Sequence, residues 1–155
     1  MEILQNIYLW AALFGWFSAQ MIKIVISIIR DRYFSLKMLF SSGGMPSSHS
    51  ASACALAASI GVTQGLATPI FAMAALFSYI VMYDAAGVRN ETGKQAKLLN
   101  KISSDLSVGK TKYLDRDLKE LIGHTPLQVL AGAVLGTMIG TLLPFLWCHV
   151  LGLPL

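Results

Sequence analysis

"SSHSASACALAASIGVTQGLATPIFAMAALFSYIVMY", residues 47–83, contains no Asp, Glu, Lys or Arg. A run of roughly 18 or more apolar residues can cross a bilayer as a helix. This stretch has room for two such runs, divided by the Gly and Pro punctuation of Gln64-Gly65-Leu66-Ala67-Thr68-Pro69. It reads as a helical hairpin inside a membrane. Working outward, residues 3–21 and 125–155 are equally free of charge. The expected fold is an all-α integral membrane protein. A single domain covers residues 1–155, with spans at about 3–29, 48–65, 67–88 and 126–150 and a polar insertion over 89–125. Composition agrees: 55% of residues are hydrophobic and 13% charged, against roughly a quarter charged in soluble domains. A soluble bundle would need charge on its outer faces, and these segments supply none. The first segment is too long for a removable signal peptide and lacks a small-residue cleavage site, so it reads as a span.

The bases give an orientation. All twelve Lys and Arg fall on one side of the four-span layout. Lys23, Arg30, Arg32 and Lys37 gather at and beyond the end of the first span. Arg89, Lys94, Lys97, Lys101, Lys110, Lys112, Arg116 and Lys119 lie between the third and fourth. The positive-inside rule puts both long loops in the cytoplasm and both termini outside, as in the plasma (inner) membrane of a bacterium. The net charge of +4 is then a cytoplasmic surface suited to anionic headgroups. No nucleic-acid-binding motif accompanies it, so nucleic acid is not an expected partner. Cys54 and Cys148 fall at different depths and read as packing residues, not a disulfide.

This layout brings polar residues from all four spans to one membrane face. Lys23 and Arg30 end the first span, Pro46-Ser47-Ser48-His49 begins the second, Tyr83, Asp84 and Arg89 end the third, and Gly123-His124-Thr125-Pro126 begins the fourth. Two of these segments start helices, where free N–H groups and the positive end of the dipole favour phosphate. Gly43-Gly44 allows close backbone approach, so Gly44, Ser47 and Ser48 could cradle a phosphate; an ordinary capped helix start explains the same residues. Imidazole can attack phosphorus or protonate a leaving oxygen, and Lys and Arg can neutralise phosphoryl oxygens. No HExxH, CxxC or dense carboxylate cluster calls for a metal or other cofactor. His149, near the other end of the fourth span, reads as interfacial structure.

The segments "GGMPSSHSA", "YDAAGVR" and "LKELIGHTPLQVLAG", in that order, resemble the divergent branch of the type 2 phosphatidic acid phosphatases, also called acid phosphatase/vanadium-dependent haloperoxidase-related proteins. The resemblance runs from about Gln20 to Gly140. The wider superfamily has a lysine followed by an arginine-proline, a Pro-Ser-Gly-His, and a Ser-Arg followed closely by a histidine with an aspartate four residues on. Lys23 and Arg30 have the first motif's spacing, with Asp31 where its proline would stand; Pro46-Ser47-Ser48-His49 matches the second, with Ser48 for glycine. Arg89 and His124 correspond to the third, separated here by 34 residues, and Gln128 stands in the position of the aspartate. The resemblance implies that His124 is a nucleophile forming a phosphohistidine and that His49 is the general acid. It further implies that Lys23, Arg30, Arg89 and Ser47 hold phosphoryl oxygens. Gln128 lies one helical turn beyond His124; its amide oxygen could fix the imidazole tautomer but brings no charge, a charge that Asp84 could supply.

The implied activity is metal-independent hydrolysis of a lipid phosphate: phosphatidate, phosphatidylglycerol phosphate or an isoprenoid phosphate. The alternative is a membrane protein that binds or moves an anionic lipid through the same site without catalysis. Vanadate-dependent peroxide chemistry is a more distant reading. Within the insertion, Lys94, Lys97 and Lys101 share one helical face, suited to an anionic membrane surface or to solvent, and "YLDRDLKELIG" reads as a short helix closed by Gly123. Gly132, Gly136 and Gly140 recur at the spacing that lets membrane helices pack closely, either inside one chain or as a homodimer seam.

Overall fold

The computed structural model describes residues 2–31, 44–106 and 123–151. Five helices follow a 3-10 turn over Glu2–Gln5: α1 (Ile7–Asp31), α2 (Ser48–Gln64), α3 (Pro69–Ala86), α4 (Val88–Leu106) and α5 (Pro126–Leu151). The described residues contain no strand. Arg32, Lys37, Lys110, Lys112, Arg116, Lys119 and the helix expected over "YLDRDLKELIG" lie outside the described residues.

The starts of α1, α2, α3 and α5 each have a side-chain cap of the kind that satisfies otherwise orphaned N–H groups. Asn6 Oδ1 accepts from Tyr8 N at 3.0 Å and Leu9 N at 3.2 Å. Ser47 caps α2, and Thr68 caps α3 ahead of Pro69 at the first helical position. Thr125 Oγ1 accepts from Gln128 N at 3.4 Å at the start of α5.

The core is α2. It packs against α1, α3 and α5, and it is built from small residues: Ser48, Ser50, Ala51, Ala55 and Ser59 are almost wholly buried. Contacts fix the helix directions. Gly15 of α1 lies against Ala51 and Ala55, and Tyr8 OH meets Thr63 Oγ1 at 2.9 Å, so α1 runs antiparallel to α2. Phe71 lies against Gly61, and Ser78 Oγ donates to Ala53 O at 2.8 Å, so α3 is antiparallel as well. Gly132, Gly136 and Gly140 lie against the backbone carbonyls of Ser47, Ala51 and Ala55 in turn, so α5 is parallel to α2. A methyl group at any of these three glycines would collide with α2 backbone. The glycine row is therefore occupied inside the chain, and a homodimer seam through the same positions would need the surface that α2 covers.

Among the described residues three segments are long and apolar enough to cross a membrane: Ile7–Ile29, Pro69–Ser104 and Pro126–His149. α2 is the fourth helix of the bundle and is shorter than these three: its 17 residues rise about 26 Å, at the low end of the lengths that cross a bilayer. Its alanines and serines need little hydropathy because neighbouring helices cover them. The outer helices face the lipid instead, exposing Leu13, Phe17, Met73, Phe77, Leu130 and Leu142. In water such a surface would be an aggregation hazard; in a bilayer it is the solvent-matched face. The third expected span ends at Ala86, and only Gly87 separates it from the polar helix α4. There Lys94, Lys97 and Lys101 are exposed, as are Leu98, Leu99 and Ile102.

Candidate functional site

The helix directions carry the end of α1, the start of α2, the end of α3 and the start of α5 to one end of the bundle. Two backbone hydrogen bonds clamp them there. Ser47 N donates to Gln128 O at 2.9 Å, joining α2 to α5, and His124 N donates to Ala85 O at 3.1 Å, joining the α5 approach to α3. Gly123 presses on the backbone of Arg89 and Asn90, which leaves no room for a side chain there. The long insertion thus returns to the point where α3 ends, and this restores the proximity of Arg89 to His124 that their separation in sequence conceals.

Lys23 is buried although charged, 7% exposed. Its Nζ donates to Ser48 Oγ at 3.3 Å, and among the described residues no carboxylate pairs with it. A buried ammonium without a counter-charge is costly, and a bound anion would relieve that cost. Arg30 lies seven residues beyond Lys23 on α1, and its side chain lies outside the described residues. Gly44 adopts φ +87, a backbone conformation that glycine tolerates, and sits beside the Lys23 stem; the Met45–Pro46 peptide is cis.

His49 is exposed on the first turn of α2, with Arg89, Lys23 and Asp84 as its charged neighbours. Arg89 Nε donates to Asp84 Oδ2 at 2.6 Å, with both side chains substantially exposed. His124 is buried, 3% exposed. Its Nδ1 lies 3.3 Å from Gln128 Oε1, while its Nε2 is buried and has no hydrogen-bond partner. Burial holds its pKa below the ordinary histidine value. The Gln128 hydrogen bond opposes that shift, the Lys23 and His49 charges add to it, and the nearby Gly44 backbone opposes it. Gly44 approaches the ring without meeting hydrogen-bond geometry at Nε2.

The structure therefore gathers Lys23, Ser48, His49, Arg89, His124 and Gln128, with Gly44 at their edge. Two expected parts change. Asp84 pairs with Arg89 and does not stand behind His124; Gln128 occupies that position. Ser47 is fully buried, and its hydroxyl oxygen accepts from Ser50 Oγ at 3.0 Å and Ser50 N at 3.4 Å, so it serves the helix cap, and Ser48 is the serine beside Lys23. Thr125 is the residue that the sequence reading passed over. Its signal was present: Thr-Pro-Leu-Gln is a capping box, Ser/Thr followed three residues later by Glu/Gln before an apolar run. Among the described residues no three His, Cys, Asp or Glu side chains could together hold a metal ion. The side chains that converge are cations and imidazoles, which suit an anion.

The fold and the site define a helical membrane protein with cationic and imidazole side chains gathered at one end of its bundle. The chain belongs to the Divergent PAP2 family, whose model matches residues 4–139. It is 36% identical to the uncharacterized membrane protein YuiD of Bacillus subtilis (strain 168), over 94% of this chain and 98% of that one. No solved structure matches it. Membership ties the chain to the phosphatase-related membrane proteins named by the resemblance.

Proposed function

We propose that the protein is a metal-independent lipid phosphate phosphatase whose site opens to the cytoplasmic leaflet. The observation that carries the reading is His124 Nε2, buried and unpartnered near Lys23, a lysine with no carboxylate partner among the described residues. In the reaction, the Nε2 lone pair attacks phosphorus while the P–O bond to the lipid breaks. His49, exposed and free to exchange protons with water, protonates the departing oxygen. Lys23, Arg30, Arg89 and the free N–H groups of α2 hold the phosphoryl oxygens. Water then attacks the phosphohistidine, His49 takes its proton, and inorganic phosphate leaves with His124 restored. The one-sided bases support the cytoplasmic orientation. The membrane setting supports a lipid substrate such as phosphatidate, phosphatidylglycerol phosphate or an isoprenoid phosphate.

The test is phosphate release from these three lipid phosphates by detergent-purified protein in EDTA, with His124→Asn and His49→Asn in parallel. Release by the unmodified protein that both substitutions abolish supports the reading. Release that survives both removes the site assignment. A second reading, binding or movement of an anionic lipid without chemistry, is favoured by one observation: the neutral Gln128 stands behind His124. Tight, headgroup-dependent lipid binding with no release from any substrate would establish it.

A further inference from the structure

The start of α5 does more than begin a helix. Thr125 and Gln128 exchange two hydrogen bonds: Gln128 N donates to Thr125 Oγ1 at 3.4 Å, and Thr125 N donates to Gln128 Oε1 at 3.0 Å. The second bond has a chemical consequence. An N–H can face only an acceptor, so the Gln128 atom it meets must be the amide oxygen and not the NH2 group. That same oxygen lies 3.3 Å from His124 Nδ1. Two acceptors cannot bond one another, so the Nδ1 that faces it must carry a proton. A neutral imidazole has one N–H, which leaves Nε2 as the lone-pair nitrogen. Nε2 is the atom that is buried without a partner. His124 N is meanwhile tied to Ala85 O, so the ring has little freedom to turn away.

We propose that the Thr125–Gln128 capping box is the tautomer lock of His124, with Thr125 as its positioning residue. The Thr125 hydroxyl holds the first turn, the Thr125 N–H orients the Gln128 amide, and the amide oxygen keeps the imidazole proton on Nδ1. The lock gives the phosphatase reading its competent nucleophile and rests on that reading only for its purpose. The tautomer is a property of the resting protein and can be measured without turnover.

The experiment is nitrogen NMR of isotope-labelled histidine in the full chain at mildly alkaline pH, with the His124 signals assigned by their loss in His124→Asn. The expected spectrum shows Nδ1 protonated and Nε2 bare. Thr125→Ala should give a mixture of the two tautomers, and Thr125→Ser, which keeps the hydroxyl, should restore the single form. Gln128→Leu should lose the preference and serves as the second variant if Thr125→Ala folds poorly. Where phosphate release is measurable, Thr125→Ala should lower kcat with KM little changed, by about tenfold if a tenth of the molecules keep the productive tautomer. A proton on Nε2 in the unmodified protein overturns the lock, as does a spectrum that neither Thr125→Ala nor Gln128→Leu alters. The Nδ1–H form in a protein that releases no phosphate would leave the lock standing and count against the phosphatase reading alone.

Discussion

The starts of α2 and α5 use the same parts in opposite order. At α2 the cap, Ser47, comes first and His49 follows it on the first turn, with its side chain exposed. At α5 the histidine comes first and the cap follows: His124 precedes Thr125, and the ring is buried. A histidine after a cap points off the outside of the turn and meets water. A histidine before a cap is gripped from both sides, by Ala85 O through its backbone and by Gln128 through its ring. One arrangement favours a group that must trade protons with solvent. The other favours a group whose nitrogen must be bare and aimed.

Several substitutions would break or sharpen this contrast. The largest effect should come from the two histidines themselves. His124→Asn should cut phosphate release about a thousandfold or more, because it removes the nucleophile. His49→Asn should cost about a hundredfold to ten-thousandfold, the usual worth of a general acid. Equal, small losses in steady-state assays would erase the distinction between them. Next, Gly136→Val should destabilise the bundle by roughly 3 kcal/mol or more, because its side chain would meet the Ala51 backbone, which cannot yield as a flexible side chain could. A thermal unfolding scan in detergent reads this, and an unchanged midpoint would mean that α2 and α5 do not hold the two helix starts together. Gln128→Glu keeps both capping bonds and adds charge behind His124, so kcat should rise by roughly tenfold. An unchanged or lower kcat would mean that the neutral amide is the better partner.

The smallest effect is a pH dependence of stability. His124 has its folded pKa lowered from 6.5, chiefly by burial. Below that pH the unfolded chain takes up a proton that the folded chain refuses, so stability falls as pH drops through and below 6.5. His124→Asn should flatten that decline when unfolding is followed from about pH 7.5 to about pH 5.5. An equally steep decline in the variant would assign it to other groups.

Much of this was legible in the sequence because charge and hydropathy are written residue by residue. The charge-free stretches gave the helices, and the gathering of bases gave the end of the bundle where Lys23, His49, Arg89 and His124 meet. The burial of α2 was harder to read. Its alanines and serines look only moderately apolar, and nothing local tells that three neighbours will bury them. The pairing of Asp84 with Arg89 was equally hidden, since it depends on how α3 gives way to α4 at Gly87. The Thr125–Gln128 box was readable from spacing alone, but its contact with His124 Nδ1 depends on the backbone turn that precedes Pro126.

The most direct test of the central claim is a search for the covalent intermediate. Detergent-purified protein in EDTA is mixed with phosphatidate radiolabelled in its phosphate and quenched in alkali, which preserves phosphohistidine. The label should then be mapped by peptide analysis. The account requires label on His124 and its absence in His124→Asn. Phosphate release with no label on His124, or label on another residue, would contradict it.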